Sequence, residues 1–401
     1  MIFGRCMRAG SPAEIFLAFL RLGLTAFGGP IAHLGYFRQE FVLRRGWIDE
    51  PGYADLLALC QFLPGPASSQ LGFALGLRRG GGILGGLAAW AGFTLPSALL
   101  LLVCALVAGR MQGPLGQALL HGLQLVAVAV VAQAVWGMTR SLAPDRPRAG
   151  IALAGLCLVL LVPQSLVQLG VIALGALAGL LLCRQAPITA TGHVTGPVSR
   201  RAAAMALLLF LLLFLIPRTG FWGGLGHFSA FYRAGAFVFG GGHVVLPLLQ
   251  ARLVTPGFLG EHDFLAGYGL AQAVPGPLFT IAAYLGAAMA AASHASGALV
   301  LAAAGIALAG IFLPGLLLLV GILPFWDRLR LHPSAQAAMR GANAAVLGLL
   351  GAALYTPVWT SAVRGPPDVA VAATGFLLLT VWKAPPWSVV LLLAALGMAG
   401  V

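Results

Sequence analysis

Apolar runs of membrane-spanning length, mostly closed by arginines, follow one another along most of the chain. Residues 13–37 read as a first helix, with Arg21 roughly a third of the way in. A polar stretch at 38–55, with three arginines and the acids Glu40, Asp49, Glu50 and Asp55, is expected at or outside the membrane interface as a solvated loop. Residues 56–77 are apolar but interrupted by Pro64-Gly65-Pro66, and Arg78-Arg79 end them. Long apolar helices are expected at 83–108, enclosing Thr94-Leu95-Pro96-Ser97, and at 115–138. Residues 151–182 read as a tight hairpin of two helices, broken near Pro163. A bilayer core of about 30 Å takes roughly 20 apolar residues per helix.

The pattern then starts again. Residues 184–202, rich in Pro, Gly, Thr and Ser, read as a linker between repeats at 1–183 and 203–401. The short apolar run 202–216 leaves open whether it spans or re-enters. Phe231-Tyr-Arg233 through Phe239-Gly240-Gly241 lines up with Phe19-Leu-Arg21 through Phe27-Gly28-Gly29 at a constant offset of 212. After one deletion, Gln272-Ala-Val-Pro275-Gly276-Pro277 matches Gln61-Phe-Leu-Pro64-Gly65-Pro66, and Thr280 matches Ser69. Phe312-Leu313-Pro314 corresponds to Thr94-Leu95-Pro96. Agreement at Arg, Gln, Pro and paired Gly is more than apolar composition produces. The loops of half one carry Arg38, Arg44, Arg45, Arg78 and Arg79, whereas their counterparts carry essentially Arg252. Because cytoplasmic loops collect arginine, the halves are expected to be inverted-topology repeats.

Composition confirms the class. Of 401 residues, 60% are hydrophobic and only 8% charged, against roughly 25% charged in soluble domains. The fold expected is all-α and polytopic, with roughly 10–13 membrane segments and broken or re-entrant helices at the Pro-Gly-Pro motifs. The formal charge of +13 is scattered at the ends of apolar runs, so no nucleic acid is expected as partner. Lys383 is the only lysine, which excludes a Walker A loop. The cysteines Cys6, Cys60, Cys104, Cys157 and Cys183 form no CxxC pair and predict neither disulfides nor metal. No N-terminal cleavage signal is read. Catalytic and metal motifs are missing, so neither an enzyme nor a cofactor is expected.

What remains is a candidate anion site. An arginine inside a membrane helix usually faces the bundle interior and marks an ion path, so Arg21 and Arg233 are candidates, against the plainer alternative of snorkelling to the headgroups. Pro66 can open a new helix, leaving the N–H groups of Ala67, Ser68 and Ser69 unpaired at the positive end of its dipole. After the matching break at Pro275-Gly276, Pro277, Leu278, Phe279 and Thr280 can do the same in half two. The amides of Gln61, Gln70 and Gln272 and the hydroxyls of Ser68, Ser69 and Thr280 lie nearby. The pairs Gly28-Gly29 and Gly240-Gly241 serve either close helix packing or substrate contact. His33 and His243 flank the motifs without aligning and read as hydrogen-bonded structural histidines, against the alternative of a coupling proton carrier.

Phe27-Gly28-Gly29-Pro30, Gln39-Glu40-Phe41-Val42, Trp47-Ile48 and Gln61-Phe62-Leu63-Pro64-Gly65-Pro66-Ala67 together resemble the bacterial chromate ion transporters. Phe239-Gly240-Gly241-Gly242-His243 and Ala273-Val274-Pro275-Gly276-Pro277 are similar to that family's C-terminal repeat. The resemblance implies a multi-pass inner-membrane carrier that exports chromate, and thereby confers resistance. It also implies association with sulfate, an isosteric dianion. Gly242 stands where half one has Pro30, so the halves need not contribute equally. Another small-anion transporter, a channel or a membrane-embedded enzyme are the alternatives. A homodimer is left open.

Overall fold

The computed structural model describes residues 10–108, 113–162, 165–184, 198–216, 224–239, 242–293 and 295–398, and among these all regular structure is helical. In half one the elements are α1 (Pro12–Thr25), α2 (Gly29–Phe37), a π turn (Arg38–Arg44), α3 (Glu50–Phe62), α4 (Ala67–Arg79), α5 (Ile83–Ala108), α6 (Pro114–Leu142), α7 (Arg146–Leu161) and α8 (Ser165–Leu182). A connector, α9 (Arg200–Phe214), leads to half two. There α10 (Gly224–Ala236), α11 (Val245–Leu253), α12 (Glu261–Ala273), α13 (Ile281–Ala292) and α14 (Gly297–Ile322) repeat the order of half one. A turn, α15 (Trp326–Leu329), then α16 (Pro333–Ala353), a turn α17 (Thr360–Ala362), α18 (Pro366–Thr380) and α19 (Pro386–Met398) complete the chain. Ile83–Ala108, Gly116–Leu142, Gly297–Leu329 and Pro333–Ala362 are long and apolar enough to cross a membrane.

The expected first helix at 13–37 is instead a re-entrant hairpin. α1 stops at Ala26, whose ψ of 87° leaves the helix, and Gly28 and Gly29 take φ of +103° and +73°. Only glycine adopts that backbone cheaply, so the Phe-Gly-Gly motif is a chain reversal more than a packing surface. α3 and α4 make the second hairpin, and its cause is local. A proline disfavours the helical conformation of the residue before it and supplies no N–H. Leu63 is therefore extended before Pro64, Gly65 sits at φ +126° before Pro66, and α4 begins beyond. Val274 and Gly276, at φ +104°, do the same before Pro275 and Pro277. The expected hairpin at 151–182 is present as α7 and α8; Pro163 and Gln164, at its turn, lie outside the described residues.

The bases of the two first-half hairpins lie on one face. Gly10 N–H donates to the Arg79 carbonyl (2.9 Å), Arg79 pairs with Glu14 (3.1 Å), and Arg38 bonds Glu50 (2.6 Å). The indole of Trp47 is covered by the guanidinium groups of Arg45 and Arg79, each 5.3 Å from the ring centre. α5 starts at this face, where Gly76 lets α4 approach the carbonyl of Gly85. α14 runs the other way. It starts at the base of the second-half hairpins, where Gly286 of α13 meets the Ala303 carbonyl, and it passes Gly65 at Gly315. Beyond its end Trp326 packs on Phe62 (5.4 Å between ring centres) and Arg330 bonds Asp55 (2.5 Å). The two halves thus enter from opposite faces, and the repeats are inverted. The outer helices interlock: α6 packs on α18 and α19, and α16 on α7 and α8.

The polar stretch 38–55 is only partly a solvated loop. Glu40 is buried between Arg44 (2.9 Å) and Arg45 (2.6 Å), and Asp55 is buried against Arg330. Burial pushes the Glu40 pKa up, but the bonds from Arg45 and Arg44 outweigh it and hold the carboxyl below its ordinary range.

Candidate functional site

The tips of the four hairpins meet at the centre, and they do so reciprocally. Gly65 N–H donates to the Val238 carbonyl (2.7 Å), and Gly276 N–H donates to the Ala26 carbonyl (3.0 Å). Val238 occupies in half two the position that Ala26 occupies in half one, so each Pro-Gly-Pro turn is capped by the carbonyl just before the Phe-Gly-Gly motif of the other repeat. Each turn also rests on the proline-containing helix of the other half. A Cβ on Gly65 would lie 3.0 Å from the Gly315 Cα in α14, and one on Gly276 would lie 2.8 Å from Ser97 Oγ in α5. Gln70 strengthens the first of these contacts, its amide donating to the carbonyls of Pro64 (3.0 Å) and Gly315 (2.9 Å).

The two helix starts at this junction differ. In half one the first bond of α4 runs from Gln70 N–H to the Pro66 carbonyl (2.9 Å), and the N–H groups of Ala67, Ser68 and Ser69 meet no described carbonyl. Ser68 and Ser69 are buried, and Ser69 Oγ has no partner within the protein. Phe73, one turn further on, packs against Gly86 of α5, so Ser69 lies on the face of α4 that meets α5. On α5, Thr94 is buried with its hydroxyl likewise unpartnered, next to the Phe93 carbonyl that flanks Gly276. Buried hydroxyls without partners are costly, so their presence here marks a place built for a polar guest. In half two, residues Leu278–Thr280 form a tight 3-10 turn. Thr280 gives both its N–H (3.0 Å) and its hydroxyl (2.7 Å) to the Pro277 carbonyl. The N–H groups of Leu278 and Phe279 meet no described carbonyl, but Thr280 is engaged by both its groups, so half one offers more donors to an anion.

The other expected site residues divide. Pro64, Gly65, Pro66, Pro275, Gly276 and Pro277 form the junction's backbone. Gln272 is half-buried with its Nε2 buried and unpartnered. Gln61 is exposed on α3, and Gly28 is exposed and Gly29 half-buried. Gly240 and Gly241 lie outside the described residues. Arg21 does not face the bundle interior as expected. α1 buries Ile15, Ala18, Phe19 and Leu22 against α5, and Arg21 falls on the opposite stripe with exposed Leu17 and Leu24. Arg233 is half-buried but turned toward the connector, donating to the Ile216 carbonyl (2.9 Å) and lying over the Phe214 ring (5.4 Å). Thr94 and the Asp55–Arg330 pair were not singled out from sequence.

The histidines are hydrogen-bonded as expected. His33 bonds the Ala26 carbonyl (3.1 Å), and His243 bonds the Tyr268 hydroxyl (2.7 Å). Among the described residues no cluster of His, Cys, Asp or Glu has the geometry to hold a metal.

A model described as "Chromate transporter" matches residues 13–180 and 225–399, both halves of the chain. A protein named chromate transport protein from Pseudomonas aeruginosa is 30% identical, over 96% of this chain and 91% of its own length. One of the same name from Cupriavidus metallidurans is 28% identical over 91% of this chain and 87% of its own length. A probable chromate transport protein from Synechococcus elongatus is 32% identical over 67% of each chain. No solved structure matches.

Proposed function

The chain belongs to the chromate transporter family, and we propose that it carries chromate out of the cell across the inner membrane by alternating access, binding the dianion where the four hairpin tips meet. The observation that carries this reading is the unsatisfied helix start of α4 beside the unpartnered hydroxyls of Ser69 and Thr94. Three N–H groups and two hydroxyls suit a tetrahedral oxyanion, which accepts hydrogen bonds in every direction and donates none. The helix dipole adds about half a positive charge at the same place. Inverted repeats around a midplane site are the arrangement that lets one site open alternately to each face.

Orientation follows from charge. The face bearing the first-half hairpin bases carries Arg38, Arg44, Arg45, Arg78 and Arg79, and Arg330 joins them there. By the positive-inside rule this face is cytoplasmic. A membrane potential negative inside then favours exit of an anion by about 2.3 kcal/mol per charge per 100 mV.

Chromate uptake into everted vesicles tests the site. Ser69→Ala and Thr94→Val each remove a hydrogen bond to a charged ligand, worth about 1.5–3 kcal/mol, so chromate KM rises about tenfold or more for each. Arg21→Gln, on the outward stripe, leaves it unchanged. Unchanged KM in both hydroxyl variants would move the site elsewhere. Competition by sulfate, molybdate and phosphate in the same vesicles separates chromate from other oxyanions.

A further inference from the structure

A dianion at the junction lacks a cation, because Arg21 faces outward and Arg233 faces the connector. Helix dipoles offset only part of the cost of moving two charges out of water. One side chain at the junction can gain a positive charge. His33, on α2, is 0% exposed, and its ring stands edge-on to Phe93 at 5.1 Å. Its Nε2 bonds the same Ala26 carbonyl that receives Gly276 N–H, so the imidazole is two hydrogen bonds from the tip of half two. A carbonyl only accepts, so Nε2 carries the proton, and in the neutral ring Nδ1 presents a lone pair. That Nδ1 is buried without a partner.

Resting on the junction as the anion site, we propose that His33 carries a proton with the anion: Nδ1 takes a proton from water as the oxyanion binds and returns it to water on the far side as the oxyanion leaves. In the neutral ring Nδ1 keeps a free lone pair, and the protonated ring brings both charge and an N–H donor to the junction. Binding of proton and anion is therefore mutually reinforcing, and a chromate dianion moves as a net single negative charge. The neighbouring charged groups whose partners the structure shows are engaged elsewhere, Asp55 of α3 with Arg330 among them. On α1, Glu14 is engaged by Arg79 of α4, and Arg21 is turned out; in the π turn, Glu40 is held by Arg44 and Arg45, and Arg38 by Glu50. Tyr53 of α3 gives its hydroxyl to the Leu34 carbonyl, and His243 near the second-half tips is engaged with Tyr268.

Proton uptake on binding is measured with an indicator dye in weakly buffered detergent solution at pH 8, with chromate as probe. Wild type takes up one proton per chromate bound, and its affinity falls about tenfold per pH unit above the range in which free His33 titrates. H33Q, whose amide can still donate to Ala26, takes up none and binds with an affinity that no longer varies with pH; H33N is read in its place if H33Q does not fold. Chromate binding by wild type without proton uptake overturns the proposal. So does uptake that persists in the variant, which would put the proton on the anion itself. Failure of the junction as anion site is separately visible, because Ser69→Ala and Thr94→Val would then leave chromate affinity unchanged while the proton count stands on its own.

Discussion

Gly65→Ala is expected to abolish chromate transport and to lower stability, while Gly35→Ala does neither. At Gly65 a side chain meets two obstacles together. The φ of +126° lies where an L-residue is strained by about 1–3 kcal/mol. The new Cβ would also stand 3.0 Å from Gly315 Cα, which is backbone and cannot swing aside, and 2.9 Å from the Gln70 amide. Relief requires the turn to withdraw from α14, and that breaks the Gly65–Val238 bond and the two amide bonds of Gln70. The free N–H groups of α4 follow directly after this turn, so they move with it. Gly276→Ala is the internal comparison: its φ is +104°, and the new Cβ would stand 2.8 Å from Ser97 Oγ, which can rotate by giving up its bond to the Thr94 carbonyl, while backbone comes no nearer than the Phe93 carbonyl at 3.2 Å. The half-two variant should therefore keep more activity. Gly35 has helical backbone and open space around it, so alanine fits. Thermal unfolding in detergent and flux in everted vesicles, measured on all three, check the order; wild-type flux in Gly65→Ala would show that the tips do not bear on transport.

The breaks at Pro64-Gly65-Pro66 and Pro275-Gly276-Pro277 were legible in the sequence because proline acts on its own neighbours, whatever surrounds it. The duplication was legible for a different reason, the recurrence of rare polar and glycine positions in apolar material. The inversion also followed from where the arginines fall. What was not legible depends on which side of a helix meets protein. In a soluble helix a polar stripe marks the outside, but here Leu17 and Leu24 line the outer stripe and Ile15, Phe19 and Leu22 the inner one, so Arg21 had no contrasting background to place it. The Phe-Gly-Gly motif looked like helix packing because paired glycines serve both purposes, and only the positive φ at Gly28 and Gly29 separates them. Aligned positions drew notice to Arg21 and Arg233. The junction's unsatisfied groups, Thr94 and His33, have no like residue in the other half, since Phe312 faces Thr94 in the alignment.

Asp55 escaped for the most general reason: its partner is 275 residues away. Asp55→Ala is expected to destabilise the protein by about 3–5 kcal/mol, the usual consequence of leaving one member of a buried ion pair behind. Both side chains are nearly closed off, 8% exposed for Asp55 and 9% for Arg330. Asp327 also reaches Arg330 (2.9 Å), but it is 45% exposed and holds the guanidinium from the solvent side, so it offsets only part of the loss. Arg330→Met alone strands the Asp55 carboxylate and should cost a similar amount. The double substitution Asp55→Leu with Arg330→Met removes both desolvated charges, and such replacements are commonly neutral or stabilising. The second repeat already holds an apolar residue, Ala266, at the position matching Asp55, and it folds there fully buried. The fold therefore accepts an uncharged contact at this place. Unfolding midpoints of the two single variants and the double variant in detergent give the coupling directly. Equal losses that simply add in the double variant would mean that the pair contributes no interaction of its own, and that each residue matters only for its packing.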